Sequence, residues 1–304
     1  MTQLWAAMPY ISYEFSGADA RHFLQGQVTQ DINRLVADSC RYAAYCTPKG
    51  RMLAAVVLYC DSDNRLFMRI HKRQQETVIK RLKRFVLRAD VNITQQPCKV
   101  LGLNRSMAEA LCRQSNVDLP KPLQSKALPI DCCKARLNAL PNDYYELIIN
   151  PQDMSWIERM GQSNTDALNC YRLRAGHFNI LPETSEMFMP QQTPLADWDG
   201  ISYQKGCYVG QEIIARNRYL AKGKMIKCFA VANLKHRVEL FPGDKVNDHS
   251  KSIGQVIEYH HGEENGVCLA LLPHHYIGKQ CQVGGMSLLF SRIGEQLKEE
   301  QLNE

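Results

Sequence analysis

Lys205-Gly206-Cys207-Tyr208-Val209-Gly210-Gln211-Glu212 is the stretch on which the reading of this 304-residue chain turns. It follows Pro190-Gln191-Gln192 and the turn Asp199-Gly200, and it runs into Ile213-Ile214-Ala215, where a helical pattern starts. Two glycines four apart at a helix entrance let a backbone approach a ligand closely. The first free N–H groups of such a helix make a partly positive site. Cys207 stands just before it, with Lys205 beside it and Arg216 and Arg218 a few residues on. Nearby cations and a helix N-terminus favour a thiolate. The same pattern also suits an inert thiol packed into a strand-to-helix turn, since free cysteines are commonly buried. Spacing alone leaves both readings open.

Upstream, Tyr10 to Phe15 reads as a strand, followed by a short helix with Asp19 as its N-cap. Arg41–Cys46 and Arg51–Cys60 flank Thr47-Pro48-Lys49-Gly50 as a hairpin, the second strand apolar on both faces. Leu66–Ile70, Val91–Ile93 and Lys99–Leu103 read as further strands, and Met107–Arg113 as a short helix. Between residues 73 and 87, Val78, Ile79, Leu82, Phe85 and Val86 form one apolar helical stripe. The other face is basic: Lys72, Arg73, Lys80, Arg81, Lys83, Arg84 and Arg88. The Pro- and polar-rich segment 115–141 reads as a linker, followed by a strand at Tyr144–Asn150 and a helix at Asp153–Met160. After Gly223, Lys224–Asn233, Ser252–Tyr259, Gly266–Leu272 and Met286–Phe290 are strands separated by Gly, Pro, Asp and His, a small all-β module.

Composition bounds the rest. With 45% hydrophobic and 22% charged residues, a packed core forms and wholesale disorder is excluded. The longest nearly uncharged apolar run, Met52 to Cys60, is far short of the about 20 residues that span a bilayer. The first residues lack the basic start and apolar stretch of a signal peptide. A cytoplasmic, soluble protein is the expectation, working without a membrane and as a monomer. Twelve cysteines include no C-x-x-C pair. His260-His261 and His274-His275 read as loop residues and Cys132-Cys133 as a poor metal pair, so no metal site is expected. The net charge of +6 permits an anionic partner; RNA contact through the basic helix 72–88 is read as secondary.

At 205–212 the chain resembles the signature of the YgfZ proteins, members of the superfamily of the glycine-cleavage T-protein. Three further blocks resemble that family in the same order: Phe23-Leu24-Gln25-Gly26-Gln27-Val28-Thr29-Gln30-Asp31, Cys46-Thr47-Pro48-Lys49-Gly50-Arg51-Met52 and Tyr171-Arg172-Leu173-Arg174-Ala175-Gly176. The stretch Phe188-Met189-Pro190-Gln191 leads from the last of them towards the signature. The resemblance implies an α+β three-domain ring: a first domain of residues 1–45 and 125–222, an inserted ferredoxin-like domain of 46–124, and a C-terminal β-barrel of 223–304.

It also implies tetrahydrofolate or a derivative as cofactor, iron–sulfur proteins as clients, and through them a role in tRNA methylthiolation. Cys207 is then the working thiol, with Lys205 assisting. Gln27, Thr29, Asp31, Arg51, Arg174, Gly206, Tyr208, Gly210, Gln211 and Glu212 are the residues around the folate. T-proteins carry a catalytic acidic pair where this chain has Ala54 and Ala55. Alanine can neither orient nor exchange a proton with a folate nitrogen. Arg174 replaces a glutamate that holds the pterin, and arginine only donates. Simple aminomethyl transfer is therefore not expected; a folate-dependent one-carbon transferase with a relocated catalytic group is the alternative.

Overall fold

The structure is a computed structural model that describes residues 2–130, 133–220, 227–262 and 265–295. Three antiparallel sheets organise the chain. The first joins β1 (Trp5–Ala7), β7 (Lys99–Asn104), β10 (Tyr144–Ile149), β9 (Cys133–Ala139) and β8 (Ser125–Ile130), in that order. The second has the order β3 (Cys40–Cys46), β4 (Met52–Cys60), β5 (Leu66–His71), β2 (Tyr10–Ser16), β6 (Asn92–Gln95). The third runs β11 (Lys227–Leu234), β14 (Gly266–Pro273), β13 (Lys251–His261), β12 (Lys245–Asp248), β15 (Gln280–Val283), β16 (Met286–Leu289). Helices α1 (Ala20–Gln25), α2 (Gln75–Val86), α3 (Arg105–Gln114), α4 (Met154–Glu158), α5 (Thr165–Arg174) and α6 (Gln211–Leu220) lie between strands. The α+β expectation holds.

β4 shows why the sheets meet. It is buried along its whole length. Side chains alternate across a strand, so Ala54, Val56 and Leu58 pack with α2 in the core of the second sheet. Ala55, Val57 and Tyr59 face the other way, into a core shared with Tyr144 of the first sheet and with Phe229 and Leu269 of the third. Buried ion pairs cross the same centre. Arg69 on β5 pairs with Glu146 on β10, and Arg172 on α5 pairs with Glu258 on β13.

In the third sheet, the two strands Lys245–Asp248 and Gln280–Val283 escaped the sequence reading because they are short. The sheet curls until Val231 on β11 exchanges backbone hydrogen bonds of 3.0 and 2.8 Å with Ser291, just beyond β16. No α-helix interrupts the described residues from 227 to 290.

Several local expectations need correction. Residues 115–141 are not a linker: β8 and β9 form a hairpin in which Leu128, Ala135, Leu137 and Ala139 are buried. Alternate burial organises this polar, proline-containing segment, which composition alone misrepresents. A boundary between 45 and 46 would cut the β3–β4 hairpin, and residues 46–124 divide between the first and second sheets. A first strand that the sequence reading did not include, β1, pairs with β7. The boundary at 222/223 and the start of the strand expected from Lys224 lie outside the described residues. Asp19 does take the N-cap position of α1, but its side chain makes no capping bond; the carboxylate accepts instead from the backbone N–H of Asp90 at 2.8 Å. The expected stripe of α2 is buried at Val78, Ile79 and Leu82, whereas Phe85 is exposed.

Candidate functional site

Two glycines set the site's backbone. Gly50 closes the β3–β4 turn and Gly210 precedes α6, both at positive φ, +71° and +86°. They pack back to back: a Cβ on Gly210 would lie 2.5 Å from the Thr47 carbonyl oxygen and 3.0 Å from the Gly50 Cα. The hairpin turn and the helix entrance touch because neither residue carries a side chain. Gly206 is different. It has open space around it and needs no left-handed backbone.

The loop is fastened on a second side by the segment after α1. The N–H of Val209 donates to Gly26 O at 3.3 Å. The Lys205 ammonium, buried, donates to Val28 O at 2.8 Å and Gln30 O at 2.7 Å, with the Tyr208 ring 4.9 Å away. Burial lowers the Lys205 pKa to about 7, against the opposing pull of Asp31. Lys205 is thus committed to holding two loops together. A third tie comes from Gln191, whose amide donates to Ile214 O at 2.6 Å. Within the loop, the Gln211 amide donates to Lys205 O at 3.3 Å.

Against this frame, Cys207 is exposed. Of the ten cysteines whose surroundings are described, seven are buried, Cys98 and Cys228 are half-buried, and Cys207 alone is exposed. Burial raises the Cys40, Cys46 and Cys268 thiols, Cys268 to about 12. Those thiols are packing groups. Among the described residues no group of three or more His, Cys, Asp or Glu could hold a metal.

The remaining expected residues divide sharply. The Thr29 hydroxyl donates to Gly200 O at 2.7 Å and accepts from Ala44 N–H at 2.8 Å. The Asp31 carboxylate accepts from Gln25 and from the N–H of Asn33. Arg51 donates to Met187 O at 3.0 Å. Arg174 donates to Asn233 on β11, which places it against the third sheet. Glu212 is exposed in the first turn of α6. Gln27 and Tyr208 differ from all of these: both are buried, yet the Gln27 carbonyl oxygen and the Tyr208 hydroxyl have no protein partner. Both residues lie in the seam that Val209 and Lys205 close. Buried polar atoms are ordinarily satisfied, and these two, with the Gln191 carbonyl oxygen, are the unpartnered ones on the residues of this site.

Sequence reasoning found the loop and missed what holds it. Gly26, Thr47, Gly50 and Gln191 act through backbone contacts and one amide. Only the glycine in the turn signal at Gly50 hinted at a close approach. Ala54 and Ala55 are both buried, one in each core that β4 separates. No described helix is long and apolar enough to cross a membrane.

Comparison with known proteins fits this geometry. A sequence model of the GCVT N-terminal domain matches residues 4–116. The tRNA-modifying protein YgfZ of Yersinia enterocolitica is 29% identical over 215 residues, 69% of this chain and 64% of its own length. The protein of the same name from Escherichia coli is 28% identical over 216 residues, 69% of this chain and 65% of its own. The matches thus span slightly less than two thirds of these relatives. The crystal structure of the glycine cleavage system aminomethyltransferase T from Bartonella henselae superposes with a TM-score of 0.73 at 15% identity, covering 95% of this chain and 84% of that one. The fold is the T-protein fold.

Proposed function

We propose, from its kinship with the YgfZ proteins, that this chain serves tRNA modification through the thiol of Cys207. In this reading it supports assembly or repair of the iron–sulfur enzymes that methylthiolate tRNA, with tetrahydrofolate or a derivative as its ligand. The observation that carries the reading is one exposed cysteine on a loop fastened to its surroundings on three sides. A fixed, accessible thiol can ligate iron, or it can attack a sulfur–sulfur bond. In the attack, the Cys207 thiolate bonds to one sulfur and the other leaves with the electron pair as a thiolate. Lys205 then acts as a positioning residue, because its ammonium is spent on Val28 and Gln30. Gln27 and Tyr208, with their unpartnered buried oxygens, are the side chains we assign to holding a folate, a carrier of one-carbon groups when bound.

The transferase alternative has less support. The Ala54 and Ala55 side chains are closed into apolar cores. The buried carboxylates Glu146 and Glu258 are already paired with Arg69 and Arg172.

The test is performed in a bacterium deleted for its own YgfZ-type protein, with the methylthio-adenosine content of tRNA as readout. The wild-type chain is expected to restore the modification, and Cys207→Ala to restore about tenfold less, as expected on loss of a nucleophile or ligand. Full restoration by Cys207→Ala, or none by the wild type, would sink the reading.

A further inference from the structure

We propose that the exposed face of α2 is a docking surface for folded RNA of the tRNA class, gripping backbone phosphates beside an unstacked base. The proposal goes beyond the thiol reading and depends on none of it. Residues 72–88 hold seven cations and one carboxylate, Glu76. That excess of six equals the formal charge of the whole chain, so the other residues together sum to zero. The net positive charge of the protein is therefore the charge of this one segment, α2 and its two flanks.

The helix displays that charge rather than neutralising it. Val78, Ile79 and Leu82 are buried in the core of the second sheet and fix the orientation of α2. Lys80, Lys83 and Arg84 then stand at i, i+3 and i+4, one neighbourhood of the helix surface. All three are exposed, as are Lys72 and Arg88. None of these five forms a salt bridge among the described residues, whereas Arg73 is taken by Glu183. From Lys80 to Arg84 the helix rises about 6 Å. That brings the cations within reach of neighbouring phosphates on one strand.

Beside the cations lies a groove of about 510 Å³, lined by Leu53, Thr77, Lys80, Arg81 and Arg84 together with the carboxylates Glu76 and Glu186, so that three cations face two anions there. The Arg81 Nε is buried there without a partner. Its guanidinium carbon lies 5.8 Å from the centroid of the Phe85 ring, and that ring is 43% exposed. An exposed aromatic among arginines and lysines is a platform on which a base stacks. A lipid surface suits the helix less well. Its apolar stripe is already buried in the protein, leaving Phe85 and the adjoining Leu87 outside. The name of the YgfZ relatives, tRNA-modifying proteins, points to the same polyanion.

The experiment uses the full chain and an unmodified tRNA transcript, with fluorescence anisotropy across a salt series starting at about 50 mM. Wild type is expected to bind, with affinity falling steeply as salt rises. The variant K80A/K83A/R84A/R88A should bind at least about tenfold more weakly, with a log–log salt slope shallower by about 3, as expected for the loss of four phosphate contacts. Phe85→Ala should weaken binding about tenfold and leave the slope unchanged. Cys207→Ala should bind like wild type, which separates this surface from the thiol. Equal binding by the quadruple variant would overturn the proposal. So would failure of wild type to bind RNA, including the case where it binds phosphatidylserine vesicles instead. An unchanged affinity for Phe85→Ala would overturn the stacking contact.

Discussion

Replacing Glu258 with alanine is expected to destabilise the folded chain by about 3–5 kcal/mol, the range for removing one partner of a buried ion pair. Arg172 keeps a side chain only 1% exposed, so its guanidinium would be left charged and dry. The bonds it donates to His177 O at 2.6 Å and to Asn169 at 3.2 Å cannot balance a full charge. The Asn179 N–H and amide, which donate to the same carboxylate at 3.0 and 3.2 Å, would also lose their acceptor. Burial alone would raise the Glu258 pKa, but Arg172 and His260 hold it well below the ordinary 4.5. A depressed carboxylate contributes stability that is present above its unfolded pKa and lost as pH falls further. Wild type should therefore lose this increment progressively below pH about 4.5, and Glu258→Gln should lack that part of the acid limb. Urea melts at neutral and acid pH measure both. A loss under about 1 kcal/mol for Glu258→Ala would mean that water reaches the Arg172 guanidinium.

Two alanine substitutions four residues apart should separate by a wide margin. At Gly210 a Cβ meets the Thr47 carbonyl oxygen at 2.5 Å on a backbone with φ +86°. Left-handed strain costs about 1–3 kcal/mol and forced overpacking a similar amount, so Gly210→Ala should cost about 2–4 kcal/mol. The turn cannot swing away easily, because β3 and β4 are buried on both sides of it. Gly206→Ala meets nothing within 4 Å and should cost well under about 1 kcal/mol. Thermal melts of the two variants decide it. Equal stability would show that the loop does not press on the hairpin turn.

Legibility followed the range of the contact. Strand β4 could be read because nine consecutive apolar residues must be buried on both faces, and α2 because its period is 3.6. The β8–β9 hairpin was missed because its buried residues, Leu128, Ala135, Leu137 and Ala139, are sparse among polar and proline neighbours. The break assigned between 45 and 46 failed for a related reason: a hairpin turn and a domain edge have the same local composition. At the site, Cys207 and Gly210 were visible in one octapeptide, whereas Gly50, on which Gly210 packs, lies in a separate block. The role of Lys205 was not. Its partners are backbone carbonyls 177 and 175 residues away, and a carbonyl leaves no mark on the sequence. Thr29 and Asp31 looked like ligand contacts because polar residues in a motif do. The structure spends Asp31 on closing its own loop and Thr29 on tying that loop to Ala44 on β3 and to Gly200.

The direct test of the exposed thiol is residue-resolved alkylation of the folded chain with iodoacetamide, followed by mass-spectrometric assignment of each cysteine over time. Reagent reaches an exposed thiol and is kept from a buried one. Cys207 is predicted to label first, at least about tenfold faster than the buried Cys40 and Cys281, with the half-buried Cys98 and Cys228 in between. Labelling of Cys207 no faster than Cys40 or Cys281 would contradict the account, because the octapeptide would then hold a packed cysteine and no working thiol.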